Sequence, residues 1–224
     1  MAEPATRGEH TRALILDTAL RLFEEQGYER TTMRAIAGQA GVSVGNAYYY
    51  FDSKEHLIQA FYDANADRHV AASRLLLERE RDLAGRLRGV LRHWVQVNER
   101  YHDFAGVFFK TAADPRSPLS PLSAESVPAR ERVTELFREV VDGSDAKIPP
   151  ALRAELPGLL WLYQMGVVLY WVHDRSPGTA KTYELIDRTV PLVVRLISLA
   201  RYRVVRGVLD DVLELVRSMA GRSA

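Results

Sequence analysis

Apolar side chains along this chain recur every three or four residues. One stripe passes through Leu14, Ala19, Leu22 and Phe23, another through Leu57, Ile58, Phe61 and Tyr62, and a third through Leu87, Val90, Leu91, Trp94 and Tyr101. Further stripes follow at Val133, Leu136, Phe137 and Val140, at Ile186, Val190, Val193 and Ile197, and at Val205, Val208, Val212, Leu215 and Met219. This spacing gathers the apolar set on one side of an α-helix, whereas a half-buried strand requires strict alternation. No stretch alternates over six positions between turn dipeptides, so the pattern predicts an all-α fold of about nine or ten helices.

Breakers separate the stripes. Gly27-Tyr28 closes the first helix, and the Pro/Ser-rich stretch from Asp114 to Pro128 reads as an exposed, mobile loop. Asp142 to Asp145 with Pro149-Pro150, and Ser176-Pro177-Gly178, mark two further turns. The first ~50 residues hold short, glycine-punctuated helical pieces, and the later helices are longer and more apolar. The contrast suggests a small head, residues 1–52, on a larger helical body, residues 53–224.

The head carries the sharpest signal. Thr31 is placed to cap a short helix whose apolar positions are Met33, Ile36, Ala37 and Ala40. Gly41 can adopt the left-handed conformation of a tight turn, and Ser43 can cap a second short helix. Helix, glycine turn and short helix together have the spacing of a helix-turn-helix, whose second helix enters the DNA major groove. Gly45 has no side chain to hold the helix off base edges, and Asn46 can both donate and accept. The hydroxyls of Tyr48, Tyr49 and Tyr50 point at successive angles, so at least one should reach a phosphate. Asp52 and Glu55 are expected to form a capping box for the next helix, with Lys54 in its first turn as part of an anion clamp.

The stretch from Thr31 through Tyr48-Tyr49-Tyr50-Phe51-Asp52-Ser53-Lys54-Glu55-His56-Leu57, with Ala19 to Tyr28 before it, resembles the DNA-binding head of the TetR family of transcriptional regulators. The resemblance covers roughly residues 10–62. It implies a homodimeric, ligand-responsive regulator, usually a repressor, that binds a double-stranded DNA operator. Transferred residue by residue, it puts Thr32, Tyr49 and Lys54 on phosphates; the charge balance of the head, not the resemblance, turns Arg34 toward the backbone. Ser43, Val44, Gly45 and Asn46 would face the groove, with Tyr48 near it. Two positions depart from the family pattern: Tyr50 stands where histidine is very common, and apolar Val44 stands where a base is often read.

Charge adds a constraint. The whole chain has 30 Lys+Arg against 29 Asp+Glu, and residues 1–52 hold five arginines against seven acids. A DNA-reading head with this balance is expected to make few phosphate contacts, with Glu24 and Glu25 turned away, and its affinity should fall only gently with salt.

The body points to assembly and to a cavity. Leu156–Val172 has one strongly polar side chain, Gln164, in seventeen residues, so no broad side of that helix suits water. A second copy is the natural partner, and with the stripe at Ile186–Leu199 two helices per subunit would make a four-helix isologous interface. Aromatic residues also gather here. Trp94, Tyr101, Phe104, Phe108 and Trp161, with Asn98, His102 and Gln164 beside them, suggest a pocket for a small, fairly apolar effector. The alternative is a dimeric DNA-binding regulator whose body binds a protein partner or no ligand.

Other classes fit less well. With no cysteine in the 224 residues, disulfides, thiolate metal sites and cysteine nucleophiles are excluded. Gly41-Val-Ser-Val-Gly45 spells the motif of a hydrolase elbow, but that elbow needs a strand before its serine and here a helix precedes it. His173-Asp174 reads as a helix terminus, where a histidine suits the dipole. His93 and Glu99 have no metal-ligand partner at helical spacing, so no catalytic site, metal or cofactor is implied. The apolar run at 156–172 falls short of a membrane span and the N-terminus lacks a secretory pattern, so the expectation is a cytoplasmic protein with no membrane partner.

Overall fold

The computed structural model describes residues 6–102, 105, 106, 109, 112–114 and 116–200. Eight α-helices are assigned among them: α1 (Arg7–Gln26), α2 (Met33–Gln39), α3 (Val44–Tyr50), α4 (Lys54–Leu77), α5 (Leu83–Asn98), α6 (Val127–Asp142), α7 (Pro150–His173) and α8 (Ala180–Leu199). Short 3-10 turns occupy Glu99–Tyr101 and Pro177–Thr179, and there is no strand among the described residues. The all-α expectation holds with a slightly lower helix count, and the helix expected at Val204–Met219 lies outside the described residues.

The described residues form two compact units. The first comprises residues up to Asp67 together with Arg100–Arg130, and the second comprises Arg68–Glu99 and the segment from Glu131 onward. In the first unit α1 starts with a reciprocal cap: Glu9 N donates to Thr6 Oγ1 at 3.2 Å, and Thr6 N donates to the Glu9 carboxylate at 2.6 Å. Gly27 ends the helix at φ +88°, where a side chain would be strained. The buried face of α1 is Ile15, Leu16, Ala19, Leu20, Leu22 and Phe23, and Leu14 stands 42% exposed instead of lining the core. The stripe begins one residue later than the sequence suggests. Met33, Ile36, Ala37, Ala47, Phe51, Leu57, Ile58 and Phe61 complete the cluster.

The Pro/Ser-rich stretch is pinned and partly buried, contrary to the sequence expectation. Leu119 is 1% exposed and belongs to the core of the first unit. Tyr62 donates its hydroxyl to Leu119 O at 3.1 Å, and Gln59 Nε2 donates to Pro118 O. Ser123 Oγ also reaches Pro118 O at 2.9 Å, and Arg130 donates to Pro121 O at 2.8 Å. Backbone carbonyls that a loop would leave to water are thus bound to side chains, and one leucine anchors the segment.

In the second unit Leu87, Val90, Leu91 and Val95 of α5 are fully buried, as are Leu136, Phe137, Val140 and Val141 of α6 and Ile186 and Val190 of α8. Asp174, 5% exposed, organises the turn between α7 and α8. One carboxylate oxygen accepts from Ser176 N at 2.9 Å and from its hydroxyl at 2.6 Å; the other accepts from Thr182 N and Oγ1, both at 2.8 Å. Although burial works against the charge, these hydrogen bonds hold the carboxyl at about 2, below its ordinary 3.8. His173 Nδ1 lies 2.9 Å from Leu169 O in the last turn of α7, the helix terminus that the sequence indicated.

Candidate nucleic-acid interface

The cap of α2 is Thr32, whose Oγ1 accepts from Ala35 N at 3.1 Å. Thr31, expected in that role, is fully buried. Its hydroxyl lies 2.8 Å from Gly27 O and 3.2 Å from Leu22 O, and Gln26 Nε2 donates to it at 3.2 Å, tying the end of α1 to the start of α2. Because the Thr32 oxygen serves as acceptor, its O–H proton stays available outward. Ser43 repeats the device at α3, accepting from Asn46 N at 3.1 Å.

Between them the chain turns through Gly41 at φ +68°. Val42 N donates to Ala37 O at 3.0 Å and Gly41 N to Gly38 O at 3.3 Å, the paired bonds of a Schellman closure. The inner side of α3 is Ala47, fully buried, followed by Phe51, also fully buried, with the Arg12 guanidinium 4.9 Å above the Phe51 ring. The outer side carries Val44, 37% exposed, Tyr48, 48%, and Tyr49, 80%, together with exposed Gly45 and Asn46. A Cβ built on Gly45 meets no atom within 4 Å. Arg34 is likewise exposed on α2. Tyr50 is half-buried, edge-on to Tyr49 at 5.1 Å with its hydroxyl against Gly8, and so packs on α1.

Lys54 lies apart from this face. Its ammonium donates to Tyr28 O at 2.8 Å and stacks 4.3 Å from the centre of the Tyr28 ring, while Tyr28 Oη donates to Glu55 at 2.7 Å. Burial, and after it the Glu55 carboxylate, push the Tyr28 phenol upward, so it remains a donor. The expected Asp52–Glu55 capping box does not form, because Glu55 is taken by Tyr28. Ser53 caps α4 instead, accepting from His56 N at 3.2 Å, and Asp52 N points to His56 Nδ1 at 3.3 Å.

The body residues divide between the units. Trp94 packs edge-on against Trp171 at 5.1 Å, Asn98 donates to Trp94 O at 2.8 Å, and Trp161 and Gln164 are buried at 7% and 1% exposure, all in the second unit. Tyr101 belongs to the first, edge-on to Phe61 at 4.7 Å, as does His102. Phe104 and Phe108 lie outside the described residues. Among the described residues no group of three or more acidic or histidine side chains could hold a metal ion, and no helix is long and apolar enough to cross a membrane. Sequence spacing missed Leu119, whose partners are distant in sequence, and gave Thr31 a capping role that its buried bonds to the end of α1 replace.

Residues 15–61 match the family described as bacterial regulatory proteins, tetR family, and residues 86–215 match the tetracyclin repressor-like C-terminal domain. Among curated relatives, the HTH-type transcriptional regulator TtgR of Pseudomonas putida is 41% identical over 61 residues, 27% of this chain and 29% of TtgR. The HTH-type transcriptional repressor KstR of Mycobacterium tuberculosis is 36% identical over 83 residues, 34% of this chain and 38% of KstR. The chain therefore spans about a third of the length of these curated relatives. A TetR-family regulator from Syntrophomonas wolfei shares the fold at TM-score 0.67 and 18% identity, over 84% of this chain and 96% of that one. FadR from Bacillus subtilis, solved in complex with stearoyl-CoA, does so at 0.63 and 15%, over 80% and 96%. With more than half its length matched by the C-terminal family and its helix-turn-helix by the N-terminal one, this chain belongs to the TetR family of bacterial regulatory proteins.

Proposed function

We propose that this family member is a homodimeric repressor that leaves a palindromic operator when a small, fairly apolar effector binds its body. Residues 1–52 would serve as the DNA-binding domain and 53–224 as the effector-binding and dimerisation domain. The observation that carries the reading is the outer side of α3. Glycine inside a helix costs up to ~1 kcal/mol relative to alanine, yet neither close packing nor a positive φ calls for Gly45. A close approach of α3 to base edges supplies the reason. Thr32, Arg34, Tyr48 and Tyr49, all exposed, offer donors of the kind phosphate contacts require. Lys54, held by Tyr28, would brace the head and reach a phosphate with its remaining donors.

Dimerisation has its own support. Leu162, Gly166, Leu169 and Tyr170 are exposed along one face of α7, and Leu192, Leu196 and Leu199 along α8, with Leu196 at 66% and Leu192 at 53%. Apolar faces of this extent on two helices suit burial against a second copy. That two fold neighbours are solved with acyl-CoA ligands supports an effector with a substantial apolar part.

Selection of bound duplexes from a random pool tests the reading. An inverted repeat with half-sites about one helical turn apart, ~34 Å, or a multiple of it, is expected. Gly45→Leu should leave the fold intact and abolish enrichment, and Leu196→Glu should give monomers on sizing. Wild-type protein that enriches no motif, or a Gly45→Leu variant that binds as well as wild type, would refute the proposal.

A further inference from the structure

Tyr28 stands just past the end of α1, 6% exposed, and the first two residues of α4 converge on it. The Lys54 ammonium donates to the Tyr28 carbonyl at 2.8 Å and lies 4.3 Å from the ring centre. The Tyr28 hydroxyl donates to Glu55 Oε1 at 2.7 Å. Successive residues of a helix do not face each other, so side chains at these two positions ordinarily diverge. Here one tyrosine gathers both, with the cation at its carbonyl and ring face and the anion at its phenol tip.

That arrangement governs the charge Lys54 can present. An ammonium has three donors and the Tyr28 carbonyl takes one, so others remain for a phosphate. A carboxylate seated on the same ammonium would neutralise it. Glu55 is within electrostatic reach: burial opposes its charge, yet hydrogen bonds from Tyr28, its own amide and Ser53, and after them the Lys54 cation, hold its carboxyl below the ordinary range. The groove beside them is lined also by Glu29, Asp114 and Arg116. Asp114 is taken by Arg116, whose N donates to it at 2.9 Å and whose guanidinium pairs with it at 3.4 Å, and Glu29 is exposed to water. Glu55 is therefore the part-buried carboxylate that competes for Lys54, and the phenol is what occupies it.

We infer that Tyr28 is a positioning residue for DNA binding, its hydroxyl holding Glu55 off Lys54 so that the Lys54 cation stays available to a phosphate. The inference rests on the reading of Lys54 as a phosphate contact and adds what sets the charge of that contact. Phenylalanine at this position would keep the ring, its packing and the carbonyl bond, and would lose the O–H that separates the two charges. Glu55 then has an unfilled acceptor beside a cation, and the ion pair formed there removes one phosphate contact from each head.

The salt dependence of binding to the duplex enriched from the random pool, followed by fluorescence anisotropy with the full-length protein, tests this. For a dimer with two heads, Tyr28→Phe should lower the log-log slope by about 1.8, twice the ~0.9 contributed by each neutralised phosphate, and weaken binding roughly fivefold or more at low salt. Adding Glu55→Gln to Tyr28→Phe should restore the wild-type slope, since an amide has no charge to set against Lys54. A merely structural hydroxyl would change the melting temperature, leave the slope in place and gain nothing from the second substitution. Lys54→Met separates the two readings. If it lowers the slope and Tyr28→Phe does not, or if the double variant stays as shallow as Tyr28→Phe, the positioning role is overturned while Lys54 keeps its contact. If Lys54→Met leaves the slope unchanged, the phosphate reading of Lys54 fails and this inference fails with it.

Discussion

Arg86 is 3% exposed and directs its donors to backbone carbonyls. It donates from Nη1 to Leu77 O at 2.7 Å and to Glu80 O, from Nη2 to Glu139 O at 2.7 Å, and from Nε to Val140 O at 2.9 Å. Leu77 ends α4, and Glu139 and Val140 lie in the last turn of α6, so one guanidinium bonds terminal carbonyls of two helices and sits at the negative end of both dipoles. Arg86→Met preserves the stem but removes a donor from four carbonyls, of which Glu139 O keeps Gly143 N at 3.1 Å. Each buried group left unpaired costs about 1–3 kcal/mol, offset in part because no charge is desolvated any longer, and the net loss should be about 3 kcal/mol. For a chain of this size that corresponds to roughly 6–12 °C in melting temperature.

Gly143 makes the reasoning sharper. A Cβ there would lie 2.3 Å from Arg86 Nη2 and 2.8 Å from Cζ. The guanidinium cannot retreat without giving up its carbonyls, so Gly143→Ala should cost about 2 kcal/mol in the wild-type background and close to nothing beside Arg86→Met. A double-mutant cycle by urea denaturation should therefore give a coupling energy of about 2 kcal/mol. Arg86→Lys, with a single ammonium, should fall between wild type and methionine. If Arg86→Met shifts stability by less than about 1 kcal/mol, or if the two substitutions simply add, the clamp is not what holds these termini and the reasoning fails.

Asp174 has a folded-state value near 2 against an ordinary 3.8, so its contribution is fully present above pH ~4 and is lost as pH falls toward 2; it amounts to about 2 kcal/mol. Urea midpoints of Asp174→Asn and wild type should converge over that window, and a constant gap down to pH 2 would contradict it. Leu119→Ala should destabilise the first unit by about 2–4 kcal/mol, read as increased hydrogen exchange of α1 and α4 amides; unchanged exchange would return this segment to the status of a free loop. Tyr49→Phe should weaken binding of all duplexes by a similar factor. The salt dependence of operator binding should be shallow, each neutralised phosphate adding ~0.9 to the log-log slope, and a slope near ten would show many more phosphate contacts than this head supplies.

Local chemistry written in consecutive residues was legible from the sequence. Three-to-four-residue periodicity predicted an all-helical chain, and Gly41 and Ser43 marked the turn and cap of a helix-turn-helix because both act through bonds to neighbours within five positions. The exposed outer face of α3 followed from helical geometry alone. Competition between local partners was harder to foresee. Thr31 and Thr32 are equally good caps on paper, and only packing of α1 against α2 buries the first and leaves the second to cap. Glu55 had a plausible role in a capping box until the fold brought Tyr28, 27 residues away, within 2.7 Å of it.

Long-range pairing was decided by tertiary structure entirely. No spacing rule links His69 to His93 and Gln164, or Arg86 to Glu139, because residues on different helices meet according to how the helices pack. The proline-rich loop failed as a reading for the same reason: its composition forbids regular structure, but whether Leu119 finds a core to enter depends on what lies beneath it. Sequence determined which segments became helices and which face of each was apolar, since those follow from bonds and burial within a few residues. Which polar atoms met which partners was decided only when the helices came together.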